Sequence, residues 1–119
     1  MKFNYEMDEY ADLEKSTLKG SIALSYGEMV EIFGEPTLVA DEGKTRAEWR
    51  LVVNDDYAIA VYDWKTYDIP IRLVDRWNVG SRDSRALGAI QHIILNNLKP
   101  RKTNADKTVQ ETKRATQTA

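Results

Sequence analysis

The stretch from Thr45 to Gly80 constrains the fold more than any other part of the chain. From Arg46 to Val53 the residues alternate. Ala47, Trp49, Leu51 and Val53 fall on one face, with Arg46, Glu48 and Arg50 on the other, the period-two pattern of a strand buried on one side. Asn54-Asp55-Asp56 follows, and these residue types tolerate the left-handed backbone that a short hairpin turn requires. The second strand, Tyr57 to Trp64, sets Tyr57, Ile59 and Val61 against Ala58, Ala60, Tyr62 and Trp64, so neither face is solvent-like. A central strand covered on both sides reads this way. The Ala/aromatic face calls for a cover: the C-terminal helix, a second subunit or a planar ligand. A third run, Ile71 to Trp77, predicts a last strand closed by Asn78-Val79-Gly80. Trp49, Trp64 and Trp77, the three tryptophans of the chain, all lie in this stretch.

Elements on either side complete the plan. Residues 1–19 alternate weakly through Phe3, Tyr5 and Met7, as an edge strand or a loosely packed arm would. Leu18, Ile22 and Leu24 predict a short strand with a bend or bulge at Gly20. Ser25 and Glu28 have capping-box spacing, and Leu24 and Met29 have that of a hydrophobic staple. Tyr26, Met29, Val30 and Phe33 then make one apolar helix face, with Gly34 in the left-handed closing position and Pro36 preventing continuation. After Gly80, Ser81 or Asp83 can cap a second helix whose stripe of Ala86, Leu87, Ile90, Ile93, Ile94 and Leu98 is wide. The expected fold is α+β: an antiparallel sheet of roughly three to five strands, a short N-terminal helix and a longer C-terminal one. Residues 1–98 are expected to form a single domain, with 99–119 a disordered basic tail.

Charge and residue usage exclude several functions. Six basic and two acidic side chains in 99–119 leave the rest of a chain of net charge −2 at −6, a poor match to duplex DNA. The chain has no cysteine, which excludes disulfides and thiolate chemistry and fits a reducing cytoplasm. The acidic N-terminus lacks the apolar core of a signal peptide, and no run approaches the length of a membrane span.

Chemistry-bearing constellations are few. His92, the only histidine, falls opposite the stripe of the second helix and is expected to be exposed. It offers neither a metal cluster nor a Ser-His-Asp arrangement. Asp55-Asp56 reads as turn chemistry. Asp63-Trp64-Lys65 matches the D-x-K ending of a metal-dependent nuclease hairpin but lacks the Pro-Asp turn that should precede it. The glycines form no phosphate loop. What remains is basic and aromatic: Trp49, Tyr62, Trp64 and Trp77 alongside Arg46, Arg50, Lys65, Arg72, Arg82 and Arg85. Aromatics can stack a base and arginines can grip a phosphate. Arg82 and Arg85 are placed in the first turn of the second helix, where free N–H groups also favour an anion. The expected ligand-binding set is Trp49, Tyr62, Lys65, Trp77, Arg82 and Arg85, with no catalytic residue, metal ligand or cofactor.

Taken in order, Phe33-Gly34-Glu35-Pro36, Glu48-Trp49, Tyr62-Asp63-Trp64-Lys65 and Trp77-Asn78-Val79-Gly80-Ser81 resemble a family of small phage proteins with the pattern FGxP…EW…IYdyK…WhvGG. The resemblance spans about Gly20 to Ile94. It departs at Asn78, where that family often has His, and at Ser81, where it often has a second Gly. The chain is further similar to the Thoeris anti-defence sponge proteins, small α+β oligomers that bind cyclic ADP-ribose isomers or cyclic oligonucleotides without cleaving them. That resemblance implies a non-enzymatic phage counter-defence protein in the cytoplasm of an infected bacterium. It would sequester a cyclic nucleotide signal and self-associate through its C-terminal helix. The alternative is a protein-binding inhibitor of a host defence enzyme such as a CRISPR nuclease, and a third reading is a hydrolase using Asp63 and Lys65.

Overall fold

Strand β4 (Ala47–Val53) and strand β5 (Tyr57–Tyr62) form the antiparallel hairpin at the centre of the sheet, in register from Glu48 opposite Tyr62 to Val53 opposite Tyr57. The three-residue turn between them carries Asn54 and Asp55 at φ of +54° each, and the Asp56 N–H bonds the Val53 carbonyl at 2.9 Å. This computed structural model describes residues 4–98. The expectations for Phe3 and for the tail over 99–119 lie outside the described residues.

Around the hairpin stand β1 (Tyr5–Met7), β2 (Thr17–Ile22), β3 (Leu38–Val39) and β6 (Trp77–Ser81). The sheet has six strands in the order β1-β4-β5-β6-β2, every pairing antiparallel, with β3 as a second partner of β4. The count exceeds the expected range because two short strands share one edge of β4, β1 at Leu51–Val53 and β3 at Ala47–Glu48. The gap between them is closed by Thr37, whose hydroxyl accepts from the Arg50 N–H at 2.9 Å and donates to the Glu48 carbonyl at 3.0 Å. At the opposite edge the register of β2 on β6 shifts between Leu18 and Gly20. Gly20 has φ of +153°, and a Cβ there would stand 2.6 Å from Leu87 Cδ2, so the glycine admits the second helix as well as the bulge.

Both helices cover the same face of the sheet. Helix α1 (Tyr26–Phe33) begins with the capping box: Ser25 Oγ accepts from the Glu28 N–H at 3.0 Å, and Glu28 Oε1 accepts from the Ser25 N–H at 2.9 Å. It ends at Gly34, with φ of +82°, an extended ψ and its N–H on the Val30 carbonyl. The buried side chains of α1 are Met29, Ile32 and Phe33, while Tyr26 and Val30 are only partly covered. Helix α2 (Ala86–Asn97) adds Ala86, Ala89, Ile90, Ile93 and Ile94. These meet Trp49, Leu51, Val53, Ile59, Val61, Trp77 and Val79 from the sheet in one core. Burial of this apolar area is the main stabilising term.

Two boundaries differ from the sequence expectation. Residues Ile71–Leu73 form a 3-10 turn, and the last strand begins at Trp77, so Asn78-Val79-Gly80 is strand interior. The apolar residues Ile71, Val74 and Trp77 stand three apart, the period of a 3-10 turn and not of a strand; Leu73 points out at 70 % exposure. Helix α2 starts at Ala86, with Arg85 as its N-cap residue and Arg82 outside the helix. Asp83 instead closes a local turn, its carboxylate accepting the Arg85 N–H at 2.8 Å. His92 is half-buried, not exposed. No helix among the described residues is long and apolar enough to cross a membrane.

Candidate functional site

The end of β5 is held by a buried carboxylate. Asp63 is fully buried, and its Oδ1 accepts the N–H groups of Arg46 at 2.8 Å and Ala47 at 2.9 Å. Its Oδ2 accepts the Thr66 hydroxyl at 2.6 Å and faces Arg46 Nε at 3.7 Å. The Arg46 guanidinium reaches on to the carbonyls of Thr66 and Ile69 and to the Thr66 hydroxyl. The two side chains share no direct hydrogen bond, and Arg46 Nε has no hydrogen-bond partner; the Thr66 hydroxyl links them, accepting from Arg46 and donating to Asp63. With both oxygens engaged and no exposed surface, Asp63 is committed to fixing the loop, not placed as a ligand for a nuclease metal. Among the described residues no three carboxylate or imidazole groups gather to hold a metal ion.

That loop presents Trp64. Its indole is 48 % exposed, with Lys44 Nζ 5.8 Å and Lys65 Nζ 5.9 Å from the ring centroid. Lys65 takes a left-handed backbone, φ +56°, and its N–H bonds the Lys44 carbonyl at 2.7 Å, tying the two lysine-bearing loops together. A left-handed backbone costs a lysine about 1–2 kcal/mol, and such strain persists where surrounding contacts enforce it. Tyr62 meets Trp64 edge-on at 6.4 Å and 82°. The Tyr62 ring lies over Gly80, where a Cβ would stand 3.3 Å from its Cε1. Burial raises the Tyr62 phenol above its usual pKa and the Glu48 charge raises it further, while a hydrogen bond with Asn78 works against both. Glu48, Tyr62, Asn78 and Ser21 form one cross-strand row on the face of the sheet away from the helices. The result is a half-exposed indole with two ammonium groups over its ring and a polar row beyond Tyr62. It can stack a planar ring and hold an anion.

The six residues expected at a ligand site divide three ways. Tyr62 and Lys65 come together here, with Trp64 and Lys44. Trp49 and Trp77 are fully buried and pack against each other at 5.1 Å and 88°. Their indole N–H groups donate to the carbonyls of Gly34 and Leu24, each at 2.8 Å, so both tryptophans serve the core and are closed to a ligand in this arrangement. Arg82 and Arg85 lie at the other end of β5, five strand steps or about 17 Å from Tyr62. There Arg82 pairs with Asp12 at 3.5 Å, and Arg85 pairs with Asp56 at 2.9 Å and Asp83 at 2.7 Å while stacking on Tyr57 at 4.5 Å. Asp12, Asp56, Arg82 and Asp83 line a cavity of about 320 Å³ together with Val52, Ala58 and Ser81. Arg82 in its lining and Arg85 nearby are already paired with aspartates, which disfavours a phosphate. Asp12 belongs to the connection from β1 to β2, which crosses this side of the sheet with Ala11 buried and so gives the alanine face of β5 part of its cover. Lys44 is the contributor that sequence reasoning missed, because it reads as one charge of a polar turn.

No protein-family model matches this chain, and neither the curated proteins nor the solved structures contain a match.

Proposed function

We propose that this chain is a binding protein that sequesters a cyclic nucleotide signal, as a phage counter-defence protein in the cytoplasm of an infected bacterium would, and that Trp64 is its stacking platform. The observation that carries the reading is the half-exposed indole with two lysines, set on a loop fixed from below by Asp63, Arg46 and Thr66. A base displaces an ammonium group from the indole and stacks there, Lys44 and Lys65 swing to the phosphates, and the rigid loop lowers the ordering cost of binding. Binding is without turnover. Self-association through α2 belongs to the same proposal: Leu95 is 79 % exposed and borders a cavity of about 420 Å³ with Ala23, Gln91 and Ile94.

The test is a thermal-shift series with cyclic ADP-ribose isomers and cyclic di- and trinucleotides. At 100 times Kd a ligand adds about 2.7 kcal/mol, which raises the melting temperature of a domain this size by roughly 10–20 °C. The expected result is a shift with at least one ligand, that ligand recovered intact, and no shift for Trp64→Ala. A flat series across the panel overturns the proposal.

A second reading, inhibition of a host defence enzyme by direct contact, has its own support. Of the nine exposed large apolar side chains among the described residues, six occupy this one end of the sheet: Leu38, Val39, Trp64, Tyr67, Ile69 and Leu73. Concentrated apolar and aromatic exposure marks protein interfaces. Capture of one host enzyme through Trp64 with no thermal shift by any nucleotide would favour it.

A further inference from the structure

We infer that the connection from β1 to β2, residues 8–16, is a strap latched by Arg82, and that it lifts off the sheet as a unit while every strand stays paired. It gates the face of the sheet away from the helices. This is separate from the Trp64 loop and does not rest on the nucleotide-binding reading.

Strand register gives room for the motion. Met7 pairs with Leu51, Leu51 with Ile59, Ile59 with Ser81 and Ser81 with Thr17, so the two ends of the strap stand on one row. Four strand spacings separate them, about 19 Å. The chain from Met7 to Thr17 spans about 33–36 Å when extended. The excess is coiled in small turns. Unwound, it lets the middle of the strap rise by up to about 14 Å with both ends still in the sheet.

The hold is light. The N–H groups of Tyr10 and Glu14 bond Asp8 Oδ1 and Asp12 Oδ1 at 2.9 and 3.0 Å, and those of Ala11 and Ser16 bond the Asp8 and Leu13 carbonyls at 3.1 Å. All four bonds lie within the strap and travel with it. Past Asp8, whose N–H meets the Arg50 carbonyl at 2.9 Å, the polar hold on the strap among the described residues is Arg82. Its guanidinium donates to the Asp12 carbonyl at 3.2 Å and faces Asp12 Oδ2 at 3.5 Å. Ala11 is the one buried side chain of the strap, and Tyr10 stands out in solvent. The cavity of about 320 Å³ between Asp12 and the Val52–Ala58 pair shows that the closed strap is not packed down. Closure also keeps Lys15 at φ +61° and leaves Ser16 Oγ buried without a hydrogen-bond partner, two costs that opening relieves. A segment with so few buried apolar contacts opens well below the free energy of global unfolding. Lifting takes Asp12 away from Arg82 and leaves a free guanidinium beside Val52 and Ala58. Asp12 is thus an internal counter-ion that masks this cation until the strap opens.

The experiment is digestion of the full native chain with endoproteinase Glu-C. Cleavage after Glu9 and Glu14 is followed by mass spectrometry, and the fluorescence of Trp49 and Trp77 reports the core. Where opening is fast, the cleavage rate tracks the open population. Rates are normalised to a synthetic peptide of residues 5–18 at the same salt. The wild-type strap should be cut while both tryptophans stay buried. Raising salt from about 20 to about 500 mM screens the exposed ion pair and should speed cleavage about 2–5-fold. Asp12→Asn should start at the high-salt rate and lose the salt dependence. Arg82→Ala, which also removes the bond to the Asp12 carbonyl, should accelerate cleavage about 10-fold. Arg85→Ala breaks two ion pairs at the same end without touching the strap, and should leave the rate unchanged. Strap cleavage that only keeps pace with global unfolding, or that ignores salt and Arg82→Ala, overturns the inference. Equal acceleration in Arg85→Ala also overturns it, because that is general loosening. The wild-type salt series decides even where a variant fails to fold.

Discussion

Removing the Asp63 carboxylate tests the scaffold beneath the candidate site. In Asp63→Ala the N–H groups of Arg46 and Ala47 lose their common acceptor, and Thr66 loses its own. A buried donor left unsatisfied costs about 1–3 kcal/mol. The Arg46 guanidinium, its side chain only 14 % exposed, also loses its countercharge, and breaking one side of a buried pair costs about 3–5 kcal/mol. These terms describe one network and do not add, so the expected loss is about 3–5 kcal/mol in all. That is a large share of the 5–15 kcal/mol typical of a domain. Asp63→Asn keeps an oxygen for the two backbone donors and gives up only charge and the Thr66 contact, with an expected loss of about 1–2 kcal/mol. Urea unfolding followed by the fluorescence of buried Trp49 and Trp77 measures both variants. If Asp63→Ala unfolds within about 1 kcal/mol of the wild type, or Asn is as damaging as Ala, the carboxylate is not the clamp described here. A carboxylate kept for metal-dependent hydrolysis would leave stability nearly unchanged.

Two further outcomes follow from the same contacts. Hydrogen bonds with Arg85 hold the Asp83 carboxyl down at about 2 against an ordinary 3.8, so its stabilising contribution is complete above pH 4 and is lost as pH falls through about 2. The melting-temperature gap between wild type and Asp83→Asn should therefore be constant above pH 4 and close progressively towards pH 2; a gap independent of pH over that interval refutes the assignment. Acrylamide quenching separates the tryptophans, since Trp64 is 48 % exposed and Trp49 and Trp77 are at 0 %. Trp64→Phe should remove the quenchable emission and shift stability by no more than about 0.5 kcal/mol, whereas Trp77→Ala should cost about 3–5 kcal/mol.

What the sequence determined by itself is what short-range physics dictates. The alternation of Ala47, Trp49, Leu51 and Val53 fixed their burial, because a strand sends every second side chain to one face. Asn54 and Asp55 specified the hairpin turn through their tolerance of positive φ, and Ser25 with Glu28 specified the helix start. The unusual second face of β5 also announced itself in Ala58, Ala60 and Tyr62. The limits lie where partners are distant in sequence. Arg82 and Arg85 look like free anion grips until the chain brings Asp12 to within 3.5 Å of the one and Asp56 to within 2.9 Å of the other. Trp77 looks like a strand end until Ile71–Leu73 folds as a 3-10 turn and Trp77 opens β6 with its indole in the core. The Lys44–Trp64–Lys65 grouping has no local signature at all. It exists because Asp63, a residue with the look of a catalytic carboxylate, spends its hydrogen bonds joining the loop before β4 to the loop after β5. Periodicity tells which face a side chain occupies; only tertiary closure tells which charges are already answered and which remain open to a ligand.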